Sequence, residues 1–386
     1  MIPYTLHNIN SDDIESVVNV LNSDWLTQGS KIQEFENLVS EYCNVKYATA
    51  VNSGTSALHL SCLALGLGKD DLMWATPNSF VASANCALYC GATVDFVDIN
   101  KDTYNMDVSA LKEKLERTSS EKKPLPKIVM AVHFAGQSCE MKEINHLSKK
   151  YGFKIIEDAT HAIGGKYCDS PIGSCDYSDL TVFSFHPAKN ITTGEGGMIL
   201  SKSEEYQNKL QLFRSHGVTR DENLMDNASH GPWYYQQIDL GYNYRLSDIH
   251  AALGCSQMKR LDEFINKRTN IFNVYNHELK ELPIQLPLQH IDTKSAHHLF
   301  VVRLKLDKIK KTHRQIFEEL RENGIAVNLH YIPIHTQPYY KKMGFKHGDF
   351  PQAESYYSEA ISLPIYPSLE EDQLNQVIVT LKKIIN

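Results

Sequence analysis

At 386 residues with 42% apolar and 22% charged side chains, the chain exceeds what one hydrophobic core serves, so two domains of a large enzyme are expected. A formal net charge of −7 and the lack of a basic stripe remove the electrostatic case for a nucleic-acid partner. The most apolar stretch, 57–67, is too short and interrupted for a membrane span, and Met1-Ile2-Pro3-Tyr4 opens no signal peptide, so the expected location is cytoplasmic.

In chain order, residues 46–52 form the first predicted strand, followed by the turn Ser53-Gly54-Thr55-Ser56 and an apolar helix from 57 to 65. The N–H groups at such a helix start attract a phosphate, although serine and threonine also cap helices that bind nothing. A strand is predicted at 72–76 and a helix at 79–89, where Phe80 takes the place of an ordinary core residue. Strands follow at 93–99 and 127–133, and the lysine-rich stretch 118–127, with Pro124 and Pro126, is a surface loop.

The strand at 154–158 ends in Glu157 and Asp158, with His161 just beyond. Open α/β sheets gather their catalytic groups at the carboxyl ends of strands. By itself such an aspartate is more often a helix cap or an ion-pair partner than a catalytic group. Strands at 181–184 and 198–201 flank a tight connection carrying Lys189, within Ser184-Phe185-His186-Pro187-Ala188-Lys189 and the glycine-rich Gly194-Glu195-Gly196-Gly197. From there a lysine reaches the sheet edge. Strands alternating with helices predict a mostly parallel sheet covered on both faces.

After Ser247 one long helix is predicted over 248–279, a connector leaving the first domain. A strand at 298–306, a helix at 311–323 ended by Gly324, a strand at 326–329 and helices at 351–359 and 370–383 make a smaller α+β domain. The expected division is 1–250, a large domain, and 251–386, a small C-terminal one. The eight cysteines have no C-x-x-C spacing and are expected as buried free thiols. His297-His298 and His330 with His335 lack matching cysteine or carboxylate spacing, so no metal site is expected.

A helix start for a phosphate, a strand-end carboxylate for a pyridine nitrogen and a loop amine for an aldehyde are what pyridoxal 5′-phosphate (PLP) needs from a protein. With this constellation in place, the chain resembles the DegT/DnrJ/EryC1/StrS family of PLP-dependent sugar-nucleotide aminotransferases. The likeness runs through Trp25-Leu26-Thr27-Gln28-Gly29, Asn52-Ser53-Gly54-Thr55-Ser56, Thr76-Pro77-Asn78-Ser79-Phe80, Glu157-Asp158-Ala159-Thr160-His161 and the Lys189 segment. It continues through Arg214-Ser215-His216-Gly217 and Gly241-Tyr242-Asn243-Tyr244-Arg245 to His330-Tyr331-Ile332-Pro333.

The resemblance implies an α/β fold of the fold-type I, aspartate aminotransferase-like class. It implies Lys189 as the Schiff-base lysine, Asp158 facing the pyridine nitrogen, His161 beside the phenolic oxygen, and Phe80 stacked on the ring. Gly54, Thr55 and Ser184 correspond to the phosphate cup, and Asn243 to a residue reaching the site of a neighbouring subunit, hence a homodimer with shared sites. Tyr4, Trp25, Leu26, Thr27, His330 and Tyr331 correspond to contacts of the nucleotide sugar. Within the family the motifs look most like those of the members that serve pseudaminic acid biosynthesis. The implied reaction moves the amino group of L-glutamate to the C4 ketone of a UDP-linked 4-keto-6-deoxy-N-acetylhexosamine, giving UDP-4-amino-4,6-dideoxy-N-acetyl-beta-L-altrosamine. Amination of another keto sugar, such as a dTDP-sugar at C3 or C4, and a non-catalytic PLP-binding protein are the rival readings. A dehydratase is disfavoured by Lys189, since the relatives of that kind carry histidine there.

Overall fold

Seven short strands rich in buried apolar residues build the main sheet of the computed structural model, which describes residues 1–385. They are β1 (Tyr47–Val51), β2 (Leu72–Ala75), β3 (Thr93–Phe96), β4 (Ile128–Val132), β5 (Lys154–Asp158), β6 (Leu180–Ser184) and β7 (Gly197–Ser201). Their spatial order is β1-β7-β6-β5-β4-β2-β3. Only β7 runs against the rest, antiparallel to both β1 and β6. The other six therefore end at one common edge, as the expectation of a mostly parallel sheet required.

Side chains alternate across each strand, so neighbouring residues enter different cores. Helices α1 (Ser11–Leu21) and α2 (Ser30–Cys43) precede β1, and Ile156 and Val182 face helices α3 (Gly54–Ala64) and α4 (Ala82–Tyr89). Ile155 faces the layer beneath Leu111 and Ile144, while Phe183 and Phe185 pack against Phe35 and Leu261. Helix α3 lies against the sheet, and its residues Ser56–Cys62 are buried all round. Such a helix carries no polar stripe.

The predicted connector is two helices, α5 (Asp248–Met258) and α6 (Leu261–Leu279). Arg260 interrupts it at φ −110°, ψ 4°, with its guanidinium drawn to Asn8 and Asp13 near the N-terminus. The apolar spacing continues through the break, so periodicity alone cannot register it. Along α6, Leu261, Phe264 and Ile265 belong to one core, whereas Ile271, Phe272 and Tyr275 belong to another. That second core surrounds a three-stranded antiparallel sheet of Ile284–Gln285, Phe300–Leu304 and Ala360–Leu363.

The strand expected at 326–329 is absent. Ile325 and Asn328 make single bridges to Ile2 and Ser362, and the Asn328 side chain accepts the N–H of Leu329 at 2.8 Å, which diverts the chain toward the cavity. Part of the loop expected from 118 is helical, since the preceding helix runs through Ser120. The helix expected from 79 starts at Ala82, which leaves Phe80 outside it. All eight cysteines are free thiols, six buried and Cys90 and Cys168 half-buried. Among the described residues no group of three or more histidine, cysteine or acidic side chains is placed to hold a metal, and no helix is long and apolar enough to cross a membrane.

Candidate active site

At the carboxyl edge of the sheet a cavity of about 890 Å³ opens between the strand ends at Val132, Asp158 and Ser184 and the segment from Asn328 to Tyr331. It begins where β1 runs into α3. Ser53, in extended conformation, caps this helix by accepting the N–H of Ser56 at 3.0 Å. The N–H groups of Gly54 and Thr55 have no partner within the helix, as the first turn requires. Gly54 is a packing necessity: a Cβ there would lie 2.9 Å from that of Ser184 at the end of β6. The Ser184 hydroxyl thus joins two free N–H groups and the Thr55 hydroxyl around a positive helix end, a cradle for a phosphate.

Asp158 closes β5 and is 2% exposed. Its Oδ2 accepts the Ser83 hydroxyl at 2.6 Å, and Ser83 is in turn 2.7 Å from Ser79, so a chain of hydroxyls from the start of α4 fixes the carboxylate. Oδ1 accepts the N–H of Thr160 at 3.3 Å. Lys189 sits on the connection between β6 and β7, where its N–H donates to His186 at 2.8 Å. Burial lowers its amine to about 8, and the attraction of Asp158 offsets part of that effect. An amine so placed is partly free base near neutral pH.

Phe80 projects from the turn before α4 and is 59% exposed, unlike a core phenylalanine. His161 is buried in the cavity wall, its Nε2 3.0 Å from the Tyr331 hydroxyl. Burial first, and then the nearby Lys189 and His330, hold His161 well below the ordinary histidine value. Burial and Asp158 hold the Tyr331 phenol up, so it stays protonated. Tyr331 and His330 come from the 326–331 segment, which folds over the cavity. Asn78 accepts the N–H of Tyr331 at 3.3 Å, and His330 Nδ1 meets Ser362 at 2.8 Å. Tyr4 packs beside them, 5.5 Å from the His330 ring centre.

The cavity therefore gathers Gly54, Thr55, Phe80, Asp158, His161, Ser184, Lys189, Tyr4, His330 and Tyr331. Trp25, Leu26 and Thr27 are exposed and do not line it, and neither does exposed Asn243. Thr27 bridges Ser247, whereas the Asn243 carbonyl accepts from the cavity residue Asn52 at 3.4 Å, which puts Asn243 beside the cavity's lining. Two contributors are not assigned to this site by the sequence reading, in which His298 enters only as a rejected metal ligand. Ser83 was hidden because a serine on an apolar helix has no signature, and His298 because it abuts His161 only through tertiary packing.

These donors fit PLP. The cradle where a Cβ at Gly54 would intrude suits the phosphate, the buried Asp158 suits a pyridinium nitrogen, the open face of Phe80 suits a ring, and Lys189 is the amine for the aldehyde.

A family model for the DegT/DnrJ/EryC1/StrS aminotransferase family matches residues 7–382. The spore coat polysaccharide biosynthesis protein SpsC of Bacillus subtilis is 37% identical, covering 100% of this chain and 97% of its own. The UDP-4-amino-4,6-dideoxy-N-acetyl-beta-L-altrosamine transaminase of Campylobacter jejuni is also 37% identical, over 99% of both chains. Spr1654 of Streptococcus pneumoniae, solved in its PMP form, superposes with a TM-score of 0.89 at 28% identity, covering 100% of this chain and 99% of that one.

Proposed function

The chain belongs to the DegT/DnrJ/EryC1/StrS aminotransferase family, and from that premise we propose that it moves the amino group of L-glutamate to the C4 ketone of a UDP-linked 4-keto-6-deoxy-N-acetylhexosamine. It is a PLP-dependent aminotransferase. The observation that carries the reading is the meeting of Lys189, Asp158 and the α3 start on one cavity. The UDP-sugar follows the Campylobacter relative's name. SpsC, at the same identity, is named for spore coat polysaccharide, so a panel of keto sugars belongs in the test.

When bound, PLP supplies an aldehyde that can take up an amino group and a protonated ring that accepts electrons released at the carbon losing its proton. The N–H groups of Gly54 and Thr55, with the hydroxyls of Thr55 and Ser184, would hold its phosphate, and Phe80 would cover one ring face. Asp158, fixed by Ser83 and Thr160, would keep the ring nitrogen protonated. Lys189, with its lowered pKa, takes the proton from the alpha carbon of the donor and later delivers one to C4 of the sugar. His161 is neutral and so offers a hydrogen-bonding nitrogen without adding a charge beside the amine. His330 and Tyr331 reach the cavity from the 326–331 segment and would meet the sugar.

We further propose a cytoplasmic homodimer in which Asn243 and the Trp25-Leu26-Thr27 segment serve the neighbouring subunit's site. Trp25, Trp233 and Leu240 are 64%, 72% and 71% exposed, the kind of apolar surface that a second copy covers. In the deciding experiment, L-glutamate should bleach the visible absorption of the PLP-loaded protein and the UDP-4-keto sugar should restore it. Failure to bleach points to another donor or a binding protein. Bleaching without recovery points to another keto sugar, such as a dTDP-linked one.

A further inference from the structure

Behind His161 stands a second buried imidazole. The ring of His298 lies 4.4 Å from that of His161, centre to centre, tilted by 40°, and lines the cavity. Its backbone is fixed from two sides. The N–H of His298 donates to Ala135 at 2.9 Å, and its carbonyl accepts from Arg268 Nη1 at 3.2 Å. Gly136, at φ +100°, permits this approach: a Cβ there would lie 3.0 Å from the His161 carbonyl and 3.1 Å from the His298 nitrogen.

Arg268 is unusual in its own right. It is fully buried, and its Nη1 addresses the carbonyls of His297 (3.4 Å), His298 (3.2 Å) and Ile365 (2.9 Å), rather than a carboxylate. Ile365 belongs to the second core, so one guanidinium ties that core to the wall of the site.

We propose that His298, clamped by Arg268, is a positioning residue that holds the His161 ring in the orientation at which it meets Tyr331. The inference rests on the aminotransferase reading and deepens it, since it concerns how the wall facing Lys189 is kept in register. The Nδ1 atoms of both His161 and His298 are buried without a partner, so beyond its Nε2 contact with Tyr331 the His161 ring is held by packing, against His298 at 4.4 Å and Phe134 at 6.3 Å. The charged and titratable groups facing His298 are His161, Lys189, Arg268 and His330. Burial first, and then these neighbours, hold His298 well below the ordinary histidine value, so both rings are neutral and pack without repulsion.

The test compares His298→Leu, which fills the volume without a flat ring, with His298→Phe, which restores one. Long-range proton–nitrogen spectra of the histidine-labelled, cofactor-free protein read the His161 tautomer directly. Wild type and His298→Phe should show one neutral His161 form from about pH 6 to 8. His298→Leu should show averaged or titrating His161 signals. In the loaded enzyme, His298→Leu should lower kcat about tenfold with the KM for L-glutamate changed less than about twofold, and His298→Phe should recover most of the loss. An unchanged His161 pattern in His298→Leu, or a His298→Phe protein as impaired as His298→Leu, would overturn the proposal. A wild-type protein that fails to react with L-glutamate would instead count against the aminotransferase reading, while the spectra of the cofactor-free protein still decide the role of His298.

Discussion

Replacing Lys189 with methionine should stabilise the cofactor-free protein while abolishing turnover. The amine has a pKa of about 8 in the folded chain against 10.5 when exposed, because burial disfavours its charge more than Asp158 favours it. Below pH 8 folded and unfolded chains are both protonated, so the cost of the buried charge is fully present. Between 8 and 10.5 the folded chain has lost the proton and the unfolded chain has not, so the cost fades as pH rises. At about 1.4 kcal/mol per pH unit that cost has a ceiling of roughly 3.4 kcal/mol, which solvent reaching the half-buried side chain reduces to about 2 kcal/mol. An unfolding entropy of about 2.1 cal/mol/K per residue makes this a rise of about 2–3 °C in Tm for a chain of this length. Calorimetry of the cofactor-free proteins at pH 7 and near pH 10.5 measures it, with Lys189→Arg as the control that keeps the charge. A methionine variant melting at or below wild type at pH 7, or an advantage that persists undiminished at high pH, would refute the reasoning.

Gly54→Ala places a methyl group 2.9 Å from the Ser184 Cβ, and PLP affinity, measured by titration of the cofactor-free protein, should fall at least about tenfold. Ser83→Ala removes the 2.6 Å hydrogen bond to Asp158; kcat should drop about tenfold and stability by about 1–3 kcal/mol, the latter read from urea midpoints. Glu157→Gln breaks a buried pair in which His133 Nε2 lies 2.6 Å from the carboxylate, at a cost of about 3 kcal/mol. Although burial opposes the charge on both partners, Cys139 and Glu157 raise His133 from 6.5 to about 10, and His133, Ser178 and Thr181 lower Glu157 from 4.5. The difference in stability between wild type and Glu157→Gln should therefore be largest between pH 4.5 and 6.5 and narrow toward pH 10.

The sheet was legible because each of its strands is a short apolar run bounded by turn residues, and tertiary contacts only trimmed their ends. Lys189 and Asp158 were legible for a related reason: a strand end and a tight connection are places that local sequence specifies. What escaped detection depends on distant partners. The break at Arg260 is set by Asn8 and Asp13 across the fold, and the lost strand at 326–329 by what the segment finds beside it, Ile2 and Ser362. His298 belongs to the site only because Gly136 admits it and Arg268 holds it. Composition and periodicity carry no trace of either.

The split allegiance of α6 bears on how the molecule comes apart. One continuous helix supplies Leu261 and Phe264 to one core and Phe272 and Tyr275 to the other, so melting either core strips that helix of half its burial. Isolated helices shorter than about 12–15 residues are marginal in water, so half of this 19-residue helix, stripped of its partner core, has little reason to persist. Loss of cooperative structure should thus spread from one core to the other, and heating should yield a single calorimetric transition rather than two separate ones.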